Sequence, residues 1–128
     1  MKAVSYILLV QGIYWLVTGV WGLVDIESFM KVTGPKTDVW LVKTVSVLIV
    51  VISLSLLSSV RGRGDKMPVI LLAITSCIGL AGIDFYYALN NVISKVYLLD
   101  GVAQVVLIIT WSTVLLINKN KISNRRTY

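Results

Sequence analysis

Four apolar stretches, each about 20 residues long, alternate with short polar links along the chain. They lie roughly at residues 3–24, 39–60, 67–89 and 96–117. A helix of about 20 residues is long enough to cross the hydrocarbon core of a bilayer. The pattern therefore predicts an all-α, polytopic membrane protein, a bundle of four transmembrane helices that forms one domain over residues 1–128.

The polar links are short enough to make consecutive helices neighbours. The first link, residues 25–38, contains the turn signal Gly34-Pro35. The second and third links, residues 61–66 and 90–95, are shorter still. Because short links favour antiparallel packing of adjacent helices, we expect two helical hairpins.

A weak internal repeat relates these two hairpins. When the chain is shifted by 57 residues against itself, Glu27 falls on Asp84 and Lys43 falls on Asp100. The first pair keeps the sign of its charge and the second reverses it. Two copies of one active site would not differ in this way, so the register favours a pseudo-twofold bundle with an asymmetric polar layer.

Composition excludes a small soluble domain. Hydrophobic residues make up 57% of the chain, charged residues make up 14%, and the mean hydropathy is +0.87. These values are far from those of soluble proteins. The chain has no histidine and one cysteine, Cys77, so the usual zinc ligand sets and Cys/His or Ser/His nucleophile pairs are excluded. We expect no metal and no cofactor, and a non-enzymatic role is favoured.

Lysine and arginine are unevenly distributed between the two ends of the predicted bundle. The end with both termini and the middle link holds Lys2, Arg61, Arg63, Lys66, Lys119, Lys121, Arg125 and Arg126. The opposite end holds Lys31, Lys36, Lys43 and Lys95. The positive-inside rule then predicts that both termini are cytoplasmic.

The basic residues also bear on location and partners. The polar tail, residues 118–128, is interpreted as a determinant of topology near anionic lipid. The net charge of +6 is divided among a loop, the tail and helix ends, so it favours topology over nucleic-acid binding. Composition favours a bacterial plasma (inner) membrane.

A layer of polar residues is predicted near the outer ends of the helices. Its members are Glu27, Lys43, Asp84, Asp100 and Gln104. Ionisable residues are costly inside a membrane and commonly mark functional sites. Three interpretations remain open: interfacial charges that fix helix tilt, an ion pair of the lysine with one of the aspartates, or a site for a ligand or proton.

Glycines form a second pattern within the apolar stretches. Gly12, Gly19 and Gly22 lie in the first stretch, and Gly79 and Gly82 lie in the third. Small residues allow membrane helices to approach closely. We expect both groups to lie at helix–helix contacts.

The four-span layout resembles that of the DoxX-like group of small bacterial membrane proteins. The stretch from Phe29 to Lys43, FMKVTGPKTDVWLVK, looks like a signature of such proteins. The layout is also similar to that of the EXPERA group, four-helix sterol-binding proteins that use membrane carboxylates. The acidic motif of that group does not align residue by residue, so neither resemblance transfers a site to this chain.

Three functional classes fit these patterns. The first is an accessory component of a membrane assembly. Its expected partners are the lipid bilayer and either another membrane protein or a second copy of this chain. The second is a binder of a small apolar molecule, such as a quinone, a sterol-like compound or a lipid, in the outer polar layer. The third, a small dimeric multidrug transporter, is disfavoured because the first stretch has no carboxylate between Lys2 and Val24.

Overall fold

The computed structural model of the protein describes residues 2–125, with side chains omitted at 122, 124 and 125. Its five helices are α1 (Lys2–Val24), α2 (Ile26–Thr33), α3 (Val39–Ser59), α4 (Met67–Leu89) and α5 (Val96–Arg125). All except α2 are long and apolar enough to cross a membrane. The prediction of an all-α fold with four candidate transmembrane helices is confirmed.

Two segments differ from the prediction. The first link contains the short helix α2, which Asp25 caps by accepting a hydrogen bond from the Ser28 N–H at 3.1 Å. An acidic residue in its first turn, Glu27, and a basic one in its last, Lys31, complement the helix dipole. The fourth stretch continues as a helix through Arg125, because residues 118–125 contain no proline or glycine. The rest of the predicted tail, residues 126–128, lies outside the described residues.

Glycines bring α1 and α3 together, as expected. α1 makes its most extensive contact with α3. A methyl group built on Gly19 would lie 2.8 Å from a Val50 methyl group and 3.0 Å from the Ser46 carbonyl oxygen. One built on Gly12 would lie 2.8 Å from the Leu57 side chain. A side chain at Gly12 would therefore displace the Leu57 side chain, and one at Gly19 would also press on the backbone of α3.

The contact between α4 and α5 does not use the glycines that were expected there. α4 makes its most extensive contact with α5, and the Phe85 ring lies 3.0 Å from a methyl group built on Gly101. The expectation for Gly79 and Gly82 is wrong within the described chain, because a methyl group on either would meet nothing within 4 Å. Apolar spacing alone does not reveal which face of α4 turns inward.

The tightly packed core lies toward one end of the bundle, near residues 60–66, which we call the loop end. Trp111, Leu8 and Leu56 are fully buried there. At the same end, the Lys66 ammonium donates to the Ser5 hydroxyl at 3.1 Å, which joins the start of α1 to the link between α3 and α4. The opposite end, which we call the α2 end, is packed less closely and contains the site described next.

Candidate functional site

A cavity of about 520 Å³ lies inside the bundle at the α2 end. It exists because α3 does not approach α5 anywhere in the described part of the chain, which leaves a gap between the two helix pairs. Its volume is within the range of small-molecule sites. The apolar part of its wall consists of Trp15, Gly19, Phe29, Leu41, Val42, Val45, Ile49, Leu80, Ile83 and Ile93.

Polar side chains from three helices meet on one wall of this cavity. The Tyr14 hydroxyl of α1 donates a hydrogen bond to Asp100 Oδ1 of α5. The Gln104 amide nitrogen, one turn further along α5, donates to the same oxygen at 3.4 Å. Asp84 of α4 lies beside them, with its carboxyl group within hydrogen-bonding reach of the Asp100 carboxyl. The fold therefore brings two carboxyl groups together in largely apolar surroundings.

Three buried polar atoms among the cavity residues have no hydrogen-bond partner in the described structure. They are Asp84 Oδ2, Gln104 Oε1 and Trp15 Nε1. The side chains of Asp84, Gln104 and Trp15 are only 4%, 1% and 2% exposed. Buried polar atoms are nearly always paired, so these three atoms are exceptions that distinguish the polar part of the cavity wall.

Lys36 lines the cavity at the end beside α2, which we call its mouth. Its ammonium donates to the hydroxyl of Thr33 at 2.8 Å and to the carbonyl oxygen of Gly34 at 3.2 Å. It also lies 5.6 Å and 5.2 Å from the ring centroids of Phe29 and Tyr97, within the distance of a cation–π interaction. These contacts hold the ammonium between the end of α2 and the Tyr97 ring.

The N-terminal cap of α2 contacts the aromatic residues beside the cavity. The backbone N–H of Ser28, and then its side chain, lower the pKa of Asp25 below its ordinary value. The Ser28 hydroxyl in turn accepts a hydrogen bond from the Trp21 indole at 2.7 Å. Trp21 and the Phe29 ring make an edge-to-face contact at 5.3 Å. The cap of α2 is thus connected to the ring that lines the cavity.

The side of the cavity between α3 and α4 faces the exterior of the bundle. Leu41 and Val45 of α3 and Ile83 of α4 line the cavity, yet 45%, 49% and 54% of their surfaces are exposed. Residues that are both lining and exposed lie at a rim. Because they are in the apolar spans, this rim faces the region that lipid would occupy.

The predicted polar layer is only partly assembled at this site. Asp84, Asp100 and Gln104 line the cavity, whereas Lys43 and Glu27 are exposed and lie outside its lining. Among the residues that the structure describes, no ion pair joins the lysine to either aspartate. The repeat-related positions therefore differ in environment, since Glu27 is exposed on α2 and Asp84 is buried on α4.

Sequence reasoning missed the groups that complete the site. Tyr14 and Trp15 lie in the middle of the first apolar stretch, where aromatic residues are ordinary. In the sequence, Lys36 contributes to the charge count of the outer end and to the stretch from Phe29 to Lys43, and neither predicts a place in a cavity. The signal that could have found it is its position after Gly34-Pro35, where a turn directs the chain back over the bundle.

A second polar cluster, near the loop end, is fully paired and structural in character. Gln11 is completely buried, accepts from the Trp111 indole at 2.8 Å, and donates to the Ala73 carbonyl oxygen and the Cys77 sulfur, both at 3.2 Å. Hydrogen bonds of this kind hold membrane helices together. This cluster joins α1, α4 and α5 below the cavity.

Comparison of the chain with protein families, with curated proteins and with solved structures finds no match. The resemblance to DoxX-like and EXPERA proteins therefore stays a prediction from the sequence. The functional argument depends on the geometry of the cavity itself.

Proposed function

We propose that this integral membrane protein binds a small, largely apolar molecule in the cavity at the α2 end. The observation that supports this proposal is a 520 Å³ apolar cavity whose polar wall has buried atoms without partners. Ligand sites typically combine apolar walls with a few converging polar groups. Sterol-like compounds, quinones and lipids all have this division between an apolar body and a polar end.

The rim between α3 and α4 supports access from the lipid. Val45 and Ile83 offer an apolar edge there, while the charged Lys36 lies at the mouth on the α2 side. A largely apolar molecule is concentrated in the bilayer, so lateral access suits it. We place this end of the bundle on the outer side of a bacterial plasma membrane, on the basis of the basic residues at the loop end.

Binding rather than catalysis is the proposed role. The sequence contains no histidine, and its one cysteine, Cys77, is buried outside the cavity lining. The ionisable groups at the cavity are Tyr14, Lys36, Asp84, Tyr97 and Asp100. Their hydrogen bonds and apolar surroundings suit recognition of a polar group.

An accessory role in a membrane assembly is the second candidate. It is favoured by the exposed positions of Gly79 and Gly82 on α4, where a methyl group would meet nothing in the described chain. Small residues on a membrane-facing surface suit close approach of another helix. Such a helix would come from a partner protein or from a second copy.

Native mass spectrometry of protein extracted under mild conditions tests both candidates. Ligand binding predicts an added mass on the wild-type protein that is lost in Asp84→Ala and kept in Glu27→Ala, which removes an exposed carboxylate outside the cavity. An accessory role predicts a stoichiometric protein partner and no added small mass. The latter result would overturn the ligand-binding proposal.

A further inference from the structure

The two carboxyl groups in the cavity are not equivalent. Asp100 Oδ1 accepts hydrogen bonds from Tyr14 and Gln104. Asp84 Oδ2 has no donor, although its side chain is only 4% exposed. Asp84 is therefore the group at which a donor is missing.

Two adjacent carboxylates away from water repel each other, and a proton or another donor between them relieves the repulsion. The ionisable groups that line the cavity include no cation directed at this pair. From α1 the facing ionisable group is Tyr14, and from α5 the facing groups are Asp100 and Tyr97. The described lining from α3 contains none, and Lys36 directs its ammonium to Thr33 and Gly34.

We propose that the ligand is a lipophilic primary amine, and that its ammonium group replaces a proton at Asp84. This inference rests on the proposed function. A protonated amine has three N–H donors, which suit Asp84 Oδ2 and Gln104 Oε1, both acceptors without partners. In the proposed exchange, the two carboxyl groups share one proton before the ligand binds. As R–NH₃⁺ binds, that proton leaves to water, and both carboxylates then face one ammonium ion.

The apolar parts of the cavity suit the alkyl part of such an amine. Val42, Ile49 and Leu80 line its wall, and Phe29 and Tyr97 lie near the mouth with Lys36 over their rings. The rim at Val45 and Ile83 opens to the lipid region. An alkyl chain therefore extends along apolar wall while its ammonium group reaches the acid pair.

Calorimetric titration of the protein in phosphatidylcholine nanodiscs tests the inference, with decylamine and decanol as probes and empty nanodiscs as blanks. Buffers of different ionisation enthalpy report the protons released. At neutral pH decylamine is protonated, so we expect about one proton released per amine bound. Decanol, which keeps its proton, should release none. Decyltrimethylammonium, a cation without N–H donors, should bind at least roughly tenfold more weakly than decylamine.

The variant Asp84→Asn keeps the shape of the side chain and removes its charge. We expect it to bind decanol, which shows that it is folded, but to bind decylamine at least roughly tenfold more weakly and without proton release. Glu27→Gln should behave as wild type. Amine binding with no proton release, or with release that persists in Asp84→Asn, would overturn the inference. Absence of amine binding would overturn it as well, whereas the co-purified mass decides the proposed function separately.

Discussion

Trp111 of α5 donates its indole N–H to the side-chain oxygen of Gln11 of α1 at 2.8 Å, and both side chains are fully buried. The amide nitrogen of Gln11 reaches the Ala73 carbonyl oxygen of α4. One glutamine thus uses both ends of its amide to join three helices. This contact joins α1, α4 and α5 on the loop side of the cavity.

We predict that Gln11→Leu lowers the free energy of unfolding by about 1–3 kcal/mol, because it leaves the Trp111 N–H buried without an acceptor. Equilibrium unfolding in mixed micelles measures the change. Val10→Leu, on an exposed position of α1, is the matched control and should be nearly neutral. Equal effects of the two variants would contradict the prediction. Trp111→Phe in the Gln11→Leu background should recover part of the loss, since no polar atom is then orphaned.

The contact between α1 and α3 predicts a contrast between two glycines. Gly19→Ala should destabilise the protein by about 1–3 kcal/mol, because the new methyl group would meet Val50 and the backbone of Ser46. Gly79→Ala should not, since the structure places nothing within 4 Å of that position. Thermal unfolding in detergent measures both. A loss of oligomer or partner in Gly79→Ala, with the monomer unchanged, would favour the accessory role.

The sequence was sufficient to predict the spans but not the face of each helix. Apolar length marks a membrane helix because the whole backbone must be hydrogen-bonded in lipid, and helices α1, α3 and α4 agree with the predicted spans within one residue at each end. Which face turns inward depends on packing instead. In α4 that face includes Ala73, Cys77 and Asp84, while Gly79 is outside.

The sequence predicts some residues of the candidate site and not others. Asp84, Asp100 and Gln104 are conspicuous because polar residues are expensive in a span. Lys43 is equally conspicuous, yet it is exposed, since a long side chain near a helix start can extend to the interface. Tyr14 was missed because aromatic residues are common in apolar stretches. Its hydrogen bond to Asp100 depends on how α1 and α5 pack.

Filling the cavity should abolish binding without changing its polar groups. We predict that Val42→Trp, on the cavity wall, removes the co-purified mass and weakens decanol binding at least roughly tenfold. Val47→Trp lies on an exposed face of the same helix and outside the lining, so it should bind as wild type. Calorimetric titration in nanodiscs measures both variants. Unchanged binding in Val42→Trp would show that the ligand lies elsewhere.

The cap of α2 should depend on pH in a defined direction. Because hydrogen bonds lower the pKa of Asp25 in the folded protein, its ionised form stabilises α2 above the ordinary pKa, roughly pH 4. That stabilisation is lost as the pH falls through the lowered value. The amide resonance of Ser28 should therefore titrate below that of an unstructured peptide. Asp25→Ala should increase deuterium exchange over residues 26–33, whereas Asp25→Asn, which keeps an acceptor, should protect α2 better.

We predict that Lys36 limits the access of water to the cavity from the α2 end. In a Cys77→Ser background, Ser46→Cys places one thiol on the cavity wall. We expect a water-soluble maleimide to react slowly with it, because Thr33 and Gly34 hold the ammonium of Lys36 at the mouth. Lys36→Ala removes those contacts and should accelerate labelling several-fold, while Lys43→Ala, which removes an exposed charge outside the lining, should not. Equal labelling rates in the two lysine variants would mean that the polar wall is reached by another route. The Lys36 contacts would then only stabilise the end of α2.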